Sequence, residues 1–288
     1  MKYIGPTVSF SRAEPLKTKS ELNVTSGDAA AFFMKPKTAK VVSLFNESTI
    51  NSFNNSMKGM VTLPHASYAI NLASNDSHRH EESVNILVNE VRLADQMNTN
   101  VVFHPGTCDT VEEGIENVAR GINKVHELTT YRELDNKITP KLTHTGITIL
   151  ETMGGKSNGR IIGKKFHEVG AIIHKIKDKR RIGICLDTCH IFVSGYDIRT
   201  EDKWIDTIEE FDREIGFEYL RGVHLNDSKS DYNSGLDRHA PIGTGNIGLV
   251  PFQCIMKDSR FDDIPLVTET HLDLTDAKKE LELLRSYM

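Results

Sequence analysis

Cysteine is scarce: four residues in 288, at positions 108, 185, 189 and 254, with no C-x-x-C pair among them. That scarcity excludes a disulfide-built secreted scaffold and fits the reduced thiols of an intracellular protein, cytoplasmic or nuclear. No apolar run approaches the roughly 18 residues that span a bilayer, and the opening MKYIGPTVSF has one basic residue and then a strand-like run too short for a signal-peptide core. No membrane partner is therefore expected. A basic excess is also missing, since 35 Lys and Arg stand against 40 Asp and Glu for a net charge of −5, which excludes binding of nucleic acid through bulk basicity. Internal repeats, low-complexity tracts and Pro- or Ser-rich linkers are all absent. The simplest organisation is one domain over residues 1–288, long enough to bury a large core.

What the chain does have is alternation. Eight short apolar runs read as strands: YIGPTVSF (3–10), AAAFFM (29–34), GMVTLPHA (59–66), VVFHPG (101–106), GITILETM (146–153), IGICLDTC (182–189), YLRGVHLND (219–227) and IPLVTETH (264–271). Most are continuously apolar, the signature of strands covered on both faces and hence of a parallel sheet. Between them apolar residues recur at helical spacing, as in Val84, Leu87, Val88, Val91, Ala94 and Met97, or Ile115, Val118, Ile122 and Val125. Further helices are expected around 166–176, 204–216 and 274–286, the last with Thr275 as N-cap. Eight strand–helix alternations at this length predict an α/β protein of the (β/α)₈ TIM-barrel class. The least periodic stretch, 225–248, is too long for an ordinary connection and is expected to be functional.

The last six runs each end with a residue able to hold a metal: His65, His104, Glu151, Asp187, His224 and Glu269. In such a barrel the C-terminal strand ends converge on one face, so residues far apart in sequence can share a pocket. A lone His or Asp after a strand is more often a hydrogen-bonded turn residue, but six at one station point to a site. His190 lies three residues past Asp187, in the turn expected to leave that strand. Asp237 and His239, two apart in DRH, would point the same way from extended backbone. The mixture of imidazole and carboxylate favours zinc or manganese over an all-oxygen cage for magnesium or calcium. Cys185 and Cys189 flank Asp187 at even spacing and are read as structural, since buried free cysteine behaves as a small hydrophobe.

The motifs LPHASYAINLAS, VFHPG, LETMGG, CLDTCHIFVSGYD, RGVHLNDSK and GLDRHAPIGTGNIG, in this order and spanning nearly the whole chain, resemble those of the endonuclease IV family of apurinic/apyrimidinic (AP) endonucleases. The resemblance implies a barrel with three zinc ions per chain, manganese being admissible at one site, that cuts duplex DNA on the 5′ side of abasic sites. It implies one zinc on His65, His104 and Glu151, a second on Glu151, Asp187, His224 and Glu269, and a third on His190, Asp237 and His239. Glu151 and Glu269 would be the catalytic carboxylates, Glu151 as bridge and Glu269 orienting the attacking water. Four ligand carboxylates facing three dications would leave the site net positive and able to attract a phosphate. DNA contacts are expected from Lys35, Lys37, Arg160, Lys229 and Arg238, from the amides of Gly243, Gly245 and Gly248, and from Tyr68 with Ala69 as the wedge filling the gap of the missing base. The resemblance is looser in the recognition loops, where Ala69 and Thr38 replace the bulky apolar residue and the arginine usual in the family, in the first strand, where Thr7 stands for a His, and in GTG, where Thr244 stands for a Glu. A monomer is expected. Two other readings remain: a sugar isomerase or epimerase with one or two hard metals on the same barrel, and a non-catalytic binder of damaged DNA.

Overall fold

The computed structural model describes residues 1–134, 141, 143–270 and 272–288. The eight expected strands are present and shorter than the runs that announced them: β1 Tyr3–Pro6, β2 Ala29–Ala30, β3 Val61–Thr62, β4 Val101–Phe103, β5 Thr148–Glu151, β6 Ile182–Asp187, β7 Leu220–His224 and β8 Pro265–Thr268. His271, the last residue of the eighth run, lies outside the described residues. Six strands form one parallel sheet in the order β1-β8-β7-β6-β5-β4, and β2 pairs with β3. Parallel bridges from Thr7 to Ala31 and from His65 to Val102 join the pair to both edges of that sheet and close the barrel. Closure leaves the barrel no free edge.

Nine α-helices are found among the described residues: α1 Lys17–Thr25, α2 Glu47–Ser56, α3 Ser77–Gln96, α4 Val111–Leu128, α5 Phe166–Lys175, α6 Thr188–Val193, α7 Glu201–Glu214, α8 Val250–Lys257 and α9 Leu274–Arg285. The periodic patterns anticipated α3, α4, α5, α7 and α9. At α9 the cap is Asp273, whose carboxylate accepts from the amides of Thr275 and Asp276. Thr275 is already inside the helix, because the longer-reaching acid two residues earlier takes both orphan donors. None of the described helices is long and apolar enough to cross a membrane.

The strands are buried on both faces, and alternate residues divide two cores. Leu150, Phe103, Ile184 and Leu186 face the helices. Leu63, Val102, Ile149, Cys185 and Val267 fill the barrel interior. Gly222 belongs to the same inner layer, where a Cβ would lie 2.6 Å from the Leu63 side chain. Because side chains alternate with a period of two, the next inward residue on each strand is His65, His104, Glu151, Asp187, His224 or Glu269. The six candidate ligands therefore stand one layer above an apolar floor. The two remaining strands bring Phe33 and Thr7 to the same level.

Candidate metal centre

Glu151 is the centre of the layer. Its Oε2 lies 3.1 Å from Nε2 of His65 and 3.0 Å from Nε2 of His104, while Oε1 lies 2.9 Å from Nδ1 of His224 and 3.4 Å from Nδ1 of His190. One carboxylate thus divides its two oxygens between neighbouring sets of imidazoles. Strand register brings the other partners in: Asp187 pairs with His224 across β6 and β7, and Glu151 with Cys185 across β5 and β6. Glu269 Oε2 is 3.2 Å from His224 Nδ1. Four groups result, each with donor atoms within 4.8 Å of one another: His65, His104 and Glu151; Glu151, Asp187, His224 and Glu269; Asp187, His190 and His239; and Cys189, Asp237 and His239, which overlaps the third. Asp237 joins the third, 3.3 Å from His190 Nε2 and 3.1 Å from His239 Nε2.

The opening of the third group is set by a short helix that sequence reasoning placed as a turn. The run 182–189 ends as a strand at Asp187, and Thr188 starts α6. The Asp187 carboxylate caps it, Oδ1 accepting from the His190 amide at 2.8 Å. His190 is thereby turned back toward the pocket, one helical turn past Asp187. Cys189 consequently does not share a strand face with Cys185. Cys185 stands inside the barrel under His224, its thiol pushed up to about 12 by burial. Cys189 lies on α6 with Sγ 3.7 Å from Asp237 Oδ1, its thiol also raised by burial.

Local hydrogen bonds select which ring nitrogen faces the pocket. His65 Nδ1 is 2.7 Å from the Ala66 carbonyl and His190 Nδ1 is 2.8 Å from the Thr152 carbonyl, so both donate there and leave Nε2 as a lone-pair donor. The His239 Nε2 atom is buried with no hydrogen-bond partner although two carboxylates surround it. A buried nitrogen of that kind is costly unless something else occupies its lone pair. Five imidazoles and four carboxylates in contiguous groups, with the tautomers of His65 and His190 set from behind, fit divalent cations bound through N and O.

Electrostatics agree. Burial opposes the charge on Glu151, yet His224 and His104 hold it well below the usual carboxylate range. Burial likewise opposes a proton on His190, but Asp187, Asp237 and Glu151 hold it well above the ordinary imidazole value of 6.5. His224 is raised in the same way against burial by the sulfur of Cys185 and the carboxylates of Glu269 and Glu151. Without metal these two rings store protons in the folded state that the unfolded chain releases near pH 6.5. Their contribution to the metal-free fold is thus full below that pH and is lost as pH rises through their raised values. Cations must displace the same protons. His239 is raised in the same direction against burial by Asp237 and Asp187, so metal uptake at neutral pH is expected to release protons and to weaken as pH falls. Calorimetry in buffers of different ionisation enthalpy measures the release, and none at pH 7 would contradict these proton positions.

The rim departs from expectation at several residues. Tyr68 is 47% exposed and lies flat against His104, ring centroids 5.4 Å apart at 19°. Ala69 beside it is half-buried. Lys37 is exposed with Nζ 4.9 Å from the Phe33 ring, and its carbonyl accepts from the Tyr68 amide at 2.7 Å. Lys35 is not on this surface. It is 6% exposed, ion-paired to buried Glu90 at 3.1 Å and bonded to the Lys40 carbonyl. Because Glu90 also accepts from the Ser67 amide, the pair ties the loop after β2 to the loop carrying Tyr68. Lys229 and Arg238 are exposed on a short antiparallel ribbon, Asp227–Ser228 against His239–Ala240. The amides of Gly243 and Gly245 are already committed: both donate to Oδ2 of buried Asp227, at 3.0 and 2.9 Å. Those two glycines serve loop closure. At 245 a Cβ would meet the Ser228 carbonyl at 2.4 Å and the Asp227 carboxylate at 2.5 Å. Arg160 is exposed in the pairing with Thr107–Cys108, and Gly248 is half-buried before α8.

Comparison with known proteins places this geometry. A family model described as a xylose isomerase-like TIM barrel matches residues 45–287. A Campylobacter fetus protein named "Probable endonuclease 4" is 37% identical over 282 residues, 94% of this chain and 93% of its own length. The chain belongs to the endonuclease IV family. Apurinic-apyrimidinic endonuclease 1 of Plasmodium falciparum is 37% identical over 278 residues, 93% of this chain, and the chain spans about half the length of the Plasmodium relatives it matches. The crystal structure of endonuclease IV from Thermus thermophilus superposes with a TM-score of 0.81 at 23% identity, covering 99% of this chain and 98% of that one, and so shares the fold. Within an endonuclease IV barrel the residue that sequence reasoning passed over is Asn226. Its signal was its place, two residues beyond His224 and so on the same inward side.

Proposed function

We propose that this chain, as one barrel domain over residues 1–288, is a zinc-dependent AP endonuclease. It cuts the phosphodiester 5′ to abasic sites in duplex DNA, leaves a 3′-hydroxyl, and trims blocked 3′ ends in base excision repair. The protein acts as an intracellular monomer with three zinc ions per chain, manganese being admissible at one site. The carrying observation is the division of the Glu151 carboxylate between two sets of imidazoles, with a third set adjoining. His65, His104 and Glu151 would hold one ion, Glu151, Asp187, His224 and Glu269 a second, and His190, Asp237 and His239 a third. Ions so held would supply a more acidic water and offset the charge that develops on the attacking and leaving oxygens.

The residues divide the remaining work. Glu269 enters the pocket from the end of β8, half-open to it, and is placed to orient the attacking water toward phosphorus and hold its proton on the carboxylate. Burial opposes its charge, but His224 keeps it below the ordinary carboxylate value, so it is ionised at neutral pH. Tyr68 stands at the rim over His104 with its hydroxyl kept protonated by burial, an apolar face for the gap left by a missing base. Lys37, Lys229 and Arg238, all exposed, are the cations available to flanking phosphates.

The test is a zinc-loaded preparation with a duplex carrying one tetrahydrofuran abasic analogue. Incision 5′ to the lesion is expected, with Glu269→Gln slower by about 10² or more, the range of a lost acid–base group. No incision by the intact protein would refute the activity, and equal incision by the variant would refute the role of Glu269. An isomerase with a carboxylate-dominated shell would instead hold one or two manganese or magnesium ions. Five histidines argue against it, and metal content decides.

A further inference from the structure

Asn226 has side-chain bonds that point across the strand order. It is fully buried, just past the end of β7, and β7 lies between β6 and β8 in the sheet. Its Nδ2 donates to Oδ2 of Asp187 at 2.7 Å and to Oε2 of Glu269 at 3.3 Å. Its Oδ1 accepts from the Glu269 amide at 2.9 Å. The backbone behind it is held by one hydroxyl: Thr188 Oγ1 accepts from the Asn226 amide at 2.8 Å and donates to the Asn226 carbonyl at 2.7 Å. One planar amide therefore spans two acids arriving from the strands on either side.

We infer that Asn226 is a positioning residue that sets Asp187 and Glu269 as one unit for a divalent cation. This rests on the metal reading above. An amide is the side-chain type that this position requires. Asp187, Glu269 and Glu151 gather in a buried space where like charges repel, and they need donors that hold them without cancelling their charge. A Lys or Arg would neutralise the acids and compete with the cation. An Asp would face two carboxylates with no donor. A Ser carries one donor where two are used, and a Gln is one methylene too long for a fully enclosed site. With Asn226 in place the carboxylates are held close before a cation arrives, and its binding does not first have to gather them.

Zinc affinity and thermal stability test this together. Wild type, Asn226→Ala and a control, Asn100→Ala, are dialysed against graded chelator and assayed for zinc per chain, and each is melted metal-free and zinc-loaded. Asn100 suits the control because it is also buried and bonds through both ends of its amide, from Nδ2 to the His144 carbonyl and from the Ile147 amide to Oδ1, before β4 at the other end of the barrel. Asn226→Ala is expected to lower the affinity of one ion by about 10- to 100-fold, the usual cost of losing a group that orients a ligand. It then loses one zinc per chain first and shows a smaller zinc-induced rise in Tm. The control is expected to lower both Tm values alike and keep the full rise. Should Asn226→Ala fail to fold, Asn226→Ser, which keeps one donor, gives the same pattern at smaller size. An Asn226 variant with lower Tm but an unchanged zinc rise and unchanged zinc content would overturn the inference alone. A wild type that takes up no zinc would overturn the metal reading and this inference with it.

Discussion

Glu151→Gln is expected to reduce abasic-site incision by more than about 10³-fold, or about 4 kcal/mol of transition-state stabilisation at 1.36 kcal/mol per tenfold. The amide keeps the shape of the carboxylate but not its symmetry. Glu151 presents an acceptor oxygen to His65 and His104 on one side and to His224 on the other, with His190 3.4 Å away. Glutamine can offer an oxygen to only one of these sides and turns an NH₂ toward the other. It also removes the charge that, with its neighbours, holds His190 and His224 protonated without metal. Zinc content should drop with activity, so that kcat and metal per chain fall in the same variant. A variant that kept full zinc and lost less than tenfold in kcat would show that the shared carboxylate is not the hub.

Gly5→Ala is expected to prevent the barrel from closing, at a cost above about 4 kcal/mol, the range reserved for severe core lesions. A Cβ at position 5 would lie 1.5 Å from the carbonyl oxygen of Ala29. Both sides of that contact are backbone, so no rotamer relieves it. The seam is the one where β2 meets β1, carried by the amides of Val8 and Ala31 and by the Asp28 amide to the Ile4 carbonyl. Chemical denaturation reads the loss as a lowered midpoint, or expression yields no folded protein. Gly59→Ala is the matched control. Gly59 has φ of +84° and open space around its Cβ position, so only the left-handed penalty of about 1–2 kcal/mol applies. Equal losses at the two positions would mean that the β1–β2 seam tolerates separation.

Much of the barrel could be read from apolar runs because strands covered on both faces have few polar residues to hide behind. Each of the eight runs contains a strand. Helices α1, α2 and α8 were harder to see. The first is weakly amphipathic and buries three residues, and α2 buries one, Phe53. The short α6 hides in a stretch, ICLDTCHIFV, that shows no helical period of its own, and its break from the strand comes from Asp187 capping the His190 amide. The DNA contacts were the least legible. Lys35 looks like any loop lysine until Glu90, from a helix far along the chain, is seen to bury it. Gly243 and Gly245 look free to bind phosphate until Asp227 is found holding their amides.

By itself the sequence determined the class of barrel and pointed to six residues at its strand ends, because each apolar run stops at a side chain able to hold a metal and parallel strands of one barrel end on one face. Only the tertiary structure decided how those residues share their atoms. Which oxygen of Glu151 meets which imidazole, where His190 turns, and that one asparagine spans two acids all depend on strand register and barrel closure. Both bring together groups dozens of residues apart, at distances that no local pattern encodes.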